Sequence, residues 1–234
     1  MKVAIIPARG GSKRIPRKNI KLFFGLPIIA YSIKAAQESN LFDRIIVSTD
    51  DPEIAQISKQ YGAEIPFLRP AKLSDDFATT GEVISHAIEE LQKEGEKIDL
   101  VCCIYATAPF IQIRDLKESY QLLVNNDADF AFSATSFPFP IQRAIKLNER
   151  NQVEMFQPEN LLTRSQDLEE AYHDAGQFYW GKAEAYLENK PVFSPQSCAI
   201  LLPRERVQDI DTPEDWKRAE IMFQVLEKDV TIKK

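Results

Sequence analysis

The chain has 234 residues, of which 29 are Lys or Arg, 35 are Asp or Glu and two are His, so its net charge is −6. Apolar residues make up 44% and charged residues 27%, which excludes disordered, collagen-like and coiled-coil chains. No apolar run approaches the roughly 20 residues of a membrane helix, and the N-terminal run is too short for a secretory signal, so we expect a cytoplasmic protein without a membrane partner. Three cysteines, two of them adjacent, indicate buried thiols and not a disulfide framework.

Residues 1–135 alternate short apolar segments with segments of helical periodicity. The apolar segments KVAIIPA, DRIIVS, IDLVCCIYAT and ADFAFSAT predict buried strands, with helices between them. Because these strands are continuously apolar, both of their faces must be covered, which predicts a Rossmann-like, mostly parallel α/β sheet with helices on both faces. Ligands in such sheets bind beyond the carboxyl ends of the strands, here the loop 8–19 and residues 48–51 and 105–110.

The loop ARGGSKRIPRKN after the first strand is the most informative feature of the sequence. The first 37 residues hold eight Lys or Arg and no acid. Gly10 and Gly11 let the backbone turn so that N–H groups can face an anion, and Arg9, Lys13 and Lys18 add charge. A strand, a basic glycine-containing loop and a helix form the layout of a phosphate site, although neither GxxxxGK[ST] nor GxGxxG is present. A solvated basic loop is the alternative, and nucleic acid, which needs a broader basic face, is not an expected partner.

The rhythm of strands and helices breaks at residues 136–170, which contain several prolines and a hairpin-like LNERNQ turn but no clear core helix. We interpret this segment, called the arm below, as a dimerisation element inserted between 1–135 and 171–234 of one nucleotidyltransferase domain. Its apolar residues have no predicted place in the main core, and a second copy of the chain would cover them. An arm that folds back on its own subunit is the alternative. The apolar residues are Phe137, Phe139, Ile141, Ile145, Val153, Phe156, Leu161 and Leu162.

Strand character returns in AGQFYWG and CAILLP, and DTPEDWKRAEIMFQVLEK predicts a last helix with Thr212 as its N-cap. His173 and Asp174, just before the first of these strands, could form an acid–base pair. Asp209 and Asp211, just before the last helix, share a face if the segment is extended. Two adjacent carboxylates repel each other unless a cation lies between them, and Mg²⁺ bridged to phosphate oxygens suits such a pair. A helix cap, which would need only Asp211 or Thr212, is the alternative.

Together these motifs resemble one family. The segments IIPARGGSKRIPRKNI, RPAKLSDDFATT, IYATAPF and QDIDTPEDW look like those of the CMP-sialic acid synthetases, the cytidylyltransferases that activate nonulosonic acids. AYHDAGQFYWGKAEAY and YATAPF resemble more narrowly the branch that acts on pseudaminic acid. The resemblance implies a fold of the nucleotide-diphospho-sugar transferase type. It also implies a Mg²⁺-dependent reaction in which the anomeric hydroxyl of the sugar acid attacks the α-phosphate of CTP, giving a CMP-sugar and pyrophosphate.

The resemblance also implies roles for particular residues. Arg9, Lys18, Asp209 and Asp211 would be catalytic, and the two aspartates would bind Mg²⁺. The nucleotide would be bound by Arg9, Gly10, Gly11, Ser12, Lys18, Asn19, Arg69, Thr80 and Tyr105. The sugar acid would be bound by Arg164, which reaches in from the arm, and by Gln177 and Tyr179.

The sequence departs from the sialic-acid members in two segments. Tyr105 stands where those members carry Gln, so we expect a stacked tyrosine in place of that nucleotide contact. AGQFY replaces their NGAIY, which favours pseudaminic over neuraminic acid, with legionaminic acid as a further alternative. A nucleotide-binding regulatory module without turnover is a remote alternative, because such a descendant has no reason to keep both aspartates and the complete first loop.

Overall fold

A computed structural model of the protein describes residues 1–232. Its strands are β1 (Lys2–Pro7), β2 (Leu22–Phe23), β3 (Leu26–Pro27), β4 (Arg44–Ser48), β5 (Leu100–Ile104), β6 (Phe130–Ser136), β7 (Ile145–Leu147), β8 (Val153–Met155), β9 (Tyr172–Lys182) and β10 (Ser197–Leu201). Its helices are α1 (Ile28–Ser39), α2 (Pro52–Gln60), α3 (Thr80–Lys93), α4 (Ile113–Asn125), α5 (Ala183–Leu187) and α6 (Pro213–Ile232).

The central sheet has six strands in the order β10-β6-β9-β5-β1-β4. Five of them run in one direction, and β9 is antiparallel to both of its neighbours. The carboxyl ends of the five strands therefore meet at one edge, and β9 begins at that same edge. The predicted mostly parallel sheet is confirmed, with β9 as the exception that the sequence pattern did not indicate.

Both faces of the sheet are covered, which explains why the strands are continuously apolar. Along β1, Ala4 and Ile6 face a core that includes residues of α1, α2 and α4. Val3 and Ile5 face a second core, which is formed with α3 and α5. A third cluster joins the first loop to α6 through Ile15 and Trp216 among others, so α6 packs beside the loop at the carboxyl edge of the sheet, which we call the site edge.

Polar side chains fix where the helices next to the site edge begin. Thr79 accepts a hydrogen bond from the N–H of Glu82, whose carboxylate accepts one from the N–H of Thr79, so α3 begins with a capping box. Thr212 caps α6 in the same way, because its hydroxyl accepts from the N–H of Asp215 at 3.2 Å and Asp215 accepts from the N–H of Thr212 at 2.8 Å. The predicted Thr212 cap is confirmed.

The arm adds no strand to the central sheet within the residues that the structure describes. β7 and β8 form a separate antiparallel hairpin, closed by the predicted LNERNQ turn. The apolar residues named for the arm are exposed; Leu162, for example, is 92% exposed and Phe139 79%. Within the part of the chain that the structure describes, this apolar surface stays exposed to solvent. Among residues 1–232, no helix has both the length and the apolar character needed to cross a membrane.

Candidate active site

A cleft of about 580 Å³ opens at the carboxyl edge of the sheet, beside the ends of β1 and β5. Loop 8–19 forms one wall, the segment from residue 69 to α3 forms another, and residues 105–107 form the floor. Eight of the residues predicted from the sequence line it: Arg9, Ser12, Lys18, Asn19, Arg69, Thr80, Tyr105 and Asp211. Segments that are far apart in the chain therefore meet in one place, as expected for strand ends in a parallel sheet.

The cations of the first loop already contact acidic partners. The Arg9 guanidinium donates to the carbonyl of Asp75 at 2.5 Å and lies 2.9 Å from a carboxylate oxygen of Asp76. Lys13 pairs with the same carboxylate of Asp76. Carboxylate oxygens thus occupy the positions that phosphate oxygens could take, and these exposed ion pairs contribute little stability by themselves. A triphosphate entering the cleft could replace them as the partner of both cations.

Gly10 has a different role from the one the sequence suggested. Its N–H donates to a carboxylate oxygen of Asp50 at 3.0 Å and so does not face the cleft. A Cβ atom at this position would lie 2.7 Å from Oδ2 of Asp51, which is held by Arg17 and by two N–H groups of α2. The hydrogen bond from Arg17 lowers the pKa of Asp51 to about 2. Gly10 is therefore needed for close approach to a fixed carboxylate, and neither it nor Gly11 lines the cleft.

Lys18 connects the first loop to residues 209–211, which we call the acidic segment, just before α6. The Lys18 ammonium donates to the carbonyl of Ile210 at 2.5 Å and lies 3.2 Å from Oδ1 of Asp211. Arg14 contacts the other oxygen of Asp211 at 2.7 Å. Asp209 keeps an exposed face, but the surrounding protein partly desolvates its carboxyl group, and this effect, followed by the charge of Asp211, raises its pKa. The two carboxylates are thus close enough to repel each other, and this part of the molecule favours a bound cation.

Two further predicted residues support the cleft from within. Asn19 is buried and donates to the carbonyl of Arg9 at 2.9 Å, which fixes the conformation of the first loop. Arg69 is only 6% exposed and donates to the carbonyl of Ser48 and to that of Leu73. Burial lowers the pKa of Arg69 to about 10, so it still carries its charge at neutral pH. Because its hydrogen bonds go to neutral oxygens of Ser48 and Leu73, this cation can also attract a carbonyl or phosphate oxygen of a ligand.

A second pocket of about 300 Å³ adjoins the cleft and shares Thr80 and Tyr105 with it. Its other walls are largely aromatic, with Phe130, Tyr179, Tyr186 and Phe193 among the lining residues. The rings of Tyr105 and Tyr179 lie 5.3 Å apart, and the hydroxyls of Thr80 and Tyr105 lie 3.5 Å apart. Burial raises the pKa of both tyrosines, so their phenols are neutral at physiological pH. We refer to this second pocket as the aromatic pocket.

Asp174 gives the aromatic pocket a carboxylate. The carboxylate accepts hydrogen bonds from the hydroxyl of Tyr179 and, at 2.8 Å, from the N–H of Gly176. His173, the expected acid–base partner, contacts the backbone carbonyl of Asp174 at 2.8 Å and not its carboxylate. The acid–base pair is therefore not formed, because successive residues of a strand point to opposite faces of the sheet.

Two of the residues predicted to face the sugar acid line neither pocket. Gln177 is buried, and its amide nitrogen donates to the carbonyl of Arg206 at 2.6 Å. Arg164 lies on the exposed arm, where it pairs with Asp167 at 2.6 Å. Lys190 and Phe193, which do line the aromatic pocket, were not found from the sequence because they follow α5 in a segment without a recognisable motif.

Comparison with known proteins agrees with this geometry. A family model described as cytidylyltransferase matches residues 3–233. A pseudaminic acid cytidylyltransferase of Campylobacter jejuni is 51% identical over 223 residues, which is 95% of this chain and 96% of that protein. A CMP-N,N'-diacetyllegionaminic acid synthase of Legionella pneumophila is 32% identical over 95% of this chain and 96% of its own length. The structure of a CMP:2-keto-3-deoxy-manno-octonic acid synthetase complexed with CTP superposes with a TM-score of 0.68 at 16% identity, covering 95% of this chain and 98% of that chain, and so shares the fold.

Proposed function

The chain belongs to the cytidylyltransferase family, and from that membership we propose that it transfers CMP from CTP to pseudaminic acid and releases pyrophosphate. The observation that carries the proposal is the match over nearly the whole chain to a pseudaminic acid cytidylyltransferase at 51% identity, combined with a cation-rich cleft at the sheet edge. The buried, unpaired cysteines Cys102 and Cys103 and the need for CTP support a cytoplasmic location.

The cleft supports nucleotide binding because its charges suit a triphosphate. In the proposed complex, Arg9, Lys13 and Lys18 exchange their present carboxylate and carbonyl partners for phosphate oxygens, and Ser12 adds a hydroxyl donor. Arg69 and Thr80 contact the cytosine or ribose, and Tyr105 packs beside the nucleotide. The anomeric oxygen of the sugar acid then bonds to the α-phosphorus, the bond from that phosphorus to the pyrophosphate oxygen breaks, and pyrophosphate leaves. Positioning and charge neutralisation carry most of such a reaction.

Asp209 and Asp211 fit a divalent cation. Desolvation, and then the charge of Asp211, raises the pKa of Asp209, and Asp211 already attracts two basic side chains. No group of three or more His, Cys, Asp or Glu that could hold a metal occurs among residues 1–232, so phosphate oxygens and water would have to complete the coordination. Mg²⁺ commonly binds in this way, through one or two carboxylates and substrate phosphates. Bound there, it would neutralise charge on the phosphate oxygens during transfer.

The aromatic pocket supports the sugar-acid half of the proposal. It adjoins the cleft at Thr80 and Tyr105, so a ligand in it lies next to the nucleotide. Its carboxylate, Asp174, and the Tyr179 hydroxyl offer polar contacts between apolar walls, as suits a sugar that carries both hydroxyl and apolar substituents. Legionaminic and neuraminic acid are the second candidates, since a CMP-N,N'-diacetyllegionaminic acid synthase and an N-acylneuraminate cytidylyltransferase are both 32% identical to this chain.

The exposed apolar surface of the arm supports a homodimer. Phe156, Leu161 and Leu162 are each more than 60% exposed, which is unusual for adjacent large apolar residues of a monomer. A two-fold partner would cover them and would place each arm against the other subunit. Arg164 lies in this arm, so in a dimer it could reach the sugar pocket of the partner even though it lines no pocket of its own chain.

A substrate panel tests the proposed reaction. The purified protein is incubated with CTP, Mg²⁺ and in turn pseudaminic, legionaminic and N-acetylneuraminic acid, and pyrophosphate release and CMP-sugar formation are measured. We expect the highest kcat/KM with pseudaminic acid. A higher value with either of the other acids would contradict the assigned sugar, and CTP binding without any turnover would favour the regulatory module.

A further inference from the structure

Behind the acidic segment lies a buried polar network that neither pocket uses. Asp115, in the first turn of α4, pairs with Arg206 at 2.5 Å between Oδ2 and Nη1. Gln177, in β9, donates its amide hydrogen to the carbonyl of Arg206 at 2.6 Å. All three are at least 90% buried, with exposures of 3%, 8% and 2% respectively. Arg206 is thus held by its side chain to α4 and by its backbone to β9.

Stability alone does not account for this ion pair. Burying an Arg and an Asp costs about as much free energy as their attraction returns, and an apolar pair of similar volume is often as stable. The geometry of the network is what an apolar pair would not reproduce. Two directional contacts at one residue fix both the position and the direction of the backbone that continues from it.

That backbone leads directly to the acidic segment. Asp209 is the third residue after Arg206, and Asp211 the fifth. The far end of the segment is also anchored, because Ile210 is fully buried in the cluster with Trp216 and Thr212 caps α6. The backbone is therefore fixed on both sides of Asp209. The Arg206 network fixes it before this residue, and Ile210 and the cap of α6 fix it after.

The network also joins the two halves of the site. Gln177 lies on β9 two residues before Tyr179, and β9 supplies Asp174 and Tyr179 to the aromatic pocket. The bond from Gln177 to the carbonyl of Arg206 therefore ties the strand that carries that pocket to the segment that carries the two aspartates. A displacement of about 1 Å between reacting groups can cost on the order of 100-fold in rate.

We propose that Asp115, Arg206 and Gln177 are positioning residues, which hold Asp209 and Asp211 in place relative to β9. A metal–nucleotide complex bound at the aspartates then lies at the correct distance from a sugar acid bound beside β9. This inference rests on the proposed function. It also gives Gln177 a role other than the sugar contact expected from the sequence. If Gln177 contacted the sugar directly, its removal would raise the KM of the sugar acid and leave metal binding unchanged.

The test replaces the ion pair with an apolar pair, Arg206→Met with Asp115→Leu, and includes Arg206→Lys and Gln177→Ala. Binding of Mn²⁺ in the presence of CTP, without sugar acid, is measured by calorimetry, alongside thermal unfolding and the kinetic constants. We expect the double variant to unfold within a few degrees of the wild type, to bind Mn²⁺ roughly 10-fold or more weakly, and to lose 10- to 100-fold in kcat. Gln177→Ala should weaken Mn²⁺ binding by a smaller factor and leave the KM of the sugar acid unchanged.

A second ion pair at the opposite edge of the sheet provides the matched control. Arg44 lies at the start of β4 with its side chain 17% exposed, and it contacts Glu64 at 2.7 Å and, at 3.4 Å, both Glu94 and Glu96. Arg44→Met with Glu64→Leu should leave Mn²⁺ binding and kcat at wild-type values. Should the Arg206 double variant fail to fold, Arg206→Lys, which keeps the charge but alters the contact, carries the same expectation at a smaller magnitude.

The proposal is overturned if folded Arg206 variants bind Mn²⁺ with wild-type affinity, or if the Arg44 control loses as much. It is also overturned if Gln177→Ala raises only the KM of the sugar acid. Failure of the proposed function has a different signature, because the wild-type protein itself would then form no CMP-sugar, whatever its Mn²⁺ affinity.

Discussion

The cleft and the aromatic pocket share Thr80 and Tyr105 but differ in chemistry. The cleft is lined by several basic side chains and held together by ion pairs such as those of Arg9 and Lys18. The aromatic pocket is bounded mainly by rings and contains a carboxylate bonded to a phenol, Asp174 with Tyr179. The first contains groups that recognise charge, and the second presents groups that recognise shape and a few hydrogen bonds.

This difference indicates how one fold serves several sugar acids. The names of the relatives above give different acids and the same nucleotide, so under the proposed function the cleft can stay basic while the adjoining pocket varies. Variants in the two regions should therefore fail in different ways. Variants of the cleft should impair the use of CTP whatever the sugar, and variants of the aromatic pocket should impair the use of the sugar only.

The largest effect is expected at the acidic segment. Asp209→Ala or Asp211→Ala should lower kcat/KM by more than about 100-fold, because loss of a direct metal ligand should cost more than the 10- to 100-fold of its supporting groups. Steady-state kinetics over a range of Mg²⁺ concentrations measures this. Glu214→Ala, an acid nearby in the chain whose side chain is 84% exposed, is the control and should retain wild-type turnover. If the rate of either aspartate variant depended on Mg²⁺ concentration as the wild-type rate does, that residue would not be a metal ligand.

Arg9→Ala should distinguish most clearly between the role of the cleft and that of the aromatic pocket. Loss of a charge-assisted hydrogen bond to phosphate should raise the KM of CTP roughly 10- to 100-fold and leave that of the sugar acid within about twofold. Lys59→Ala, which removes a cation from the last turn of α2, at the opposite end from its contacts with the first loop, should change neither constant. An unchanged KM for CTP in the Arg9 variant would contradict the phosphate-loop interpretation.

Variants of the arm test whether the aromatic pocket is complete within one chain. Light scattering at micromolar concentration should give about twice the 26.7 kDa chain mass. Introducing charges at Phe156 and Leu162 should split the dimer, and we expect activity to fall about 10-fold if Arg164 of one subunit serves the other. Substituting the exposed Arg150 in the hairpin turn by Ala is the control for a change in the arm that removes no apolar surface. A dissociated variant with full turnover would place the sugar site within one subunit.

Tyr179→Phe should give a smaller effect, confined to the sugar side. It removes the hydroxyl that Asp174 accepts from but keeps the ring of the pocket wall. This hydrogen bond fixes the Asp174 carboxylate in the pocket, so its loss, about 1 kcal/mol, should raise the KM of the sugar acid 2- to 10-fold through a less well placed carboxylate. The KM of CTP should stay unchanged. Tyr172→Phe on the same strand, whose hydroxyl contacts Glu170 outside both pockets, serves as the control. A rise in the KM of CTP instead would assign the pocket to the nucleotide.

The smallest effect concerns stability and its dependence on pH. Arg17 lowers the pKa of Asp51 to about 2, so the ionised carboxylate stabilises the fold above the unfolded pKa, and this contribution is lost as the pH falls towards 2. Asp51→Asn should therefore cost roughly 1–2 kcal/mol of unfolding free energy at pH 7, with a smaller difference at pH 3. Denaturant unfolding at both pH values measures it. An equal loss at both would show that the effect comes from the helix cap alone.

Much of the fold followed from the sequence for local reasons. Continuously apolar strands, helical periodicity and capping residues such as Thr212 are set by a residue and its near neighbours, and the mostly parallel sheet and the family resemblance are confirmed. The candidate nucleotide residues that follow β1 and β5 could be grouped because parallel strands end at one edge. They include Arg9, Ser12, Lys18, Asn19 and Tyr105. Arg69 and Thr80 were indicated only by the family resemblance. The roles of all these residues in binding and catalysis remain predictions.

Only the tertiary structure decided how particular side chains are used. Gly10 and Gln177 were expected to face ligands, but Gly10 donates to Asp50 and Gln177 to the carbonyl of Arg206, partners that lie 40 and 29 residues away in the chain. The antiparallel direction of β9 brings Asp174 to the site edge, and the pairing of Arg206 with Asp115 spans 91 residues. Such contacts depend on which strands become neighbours. The spacing of residues along one chain specifies which groups can occupy a face, whereas the partner that each group meets is set by packing between distant elements.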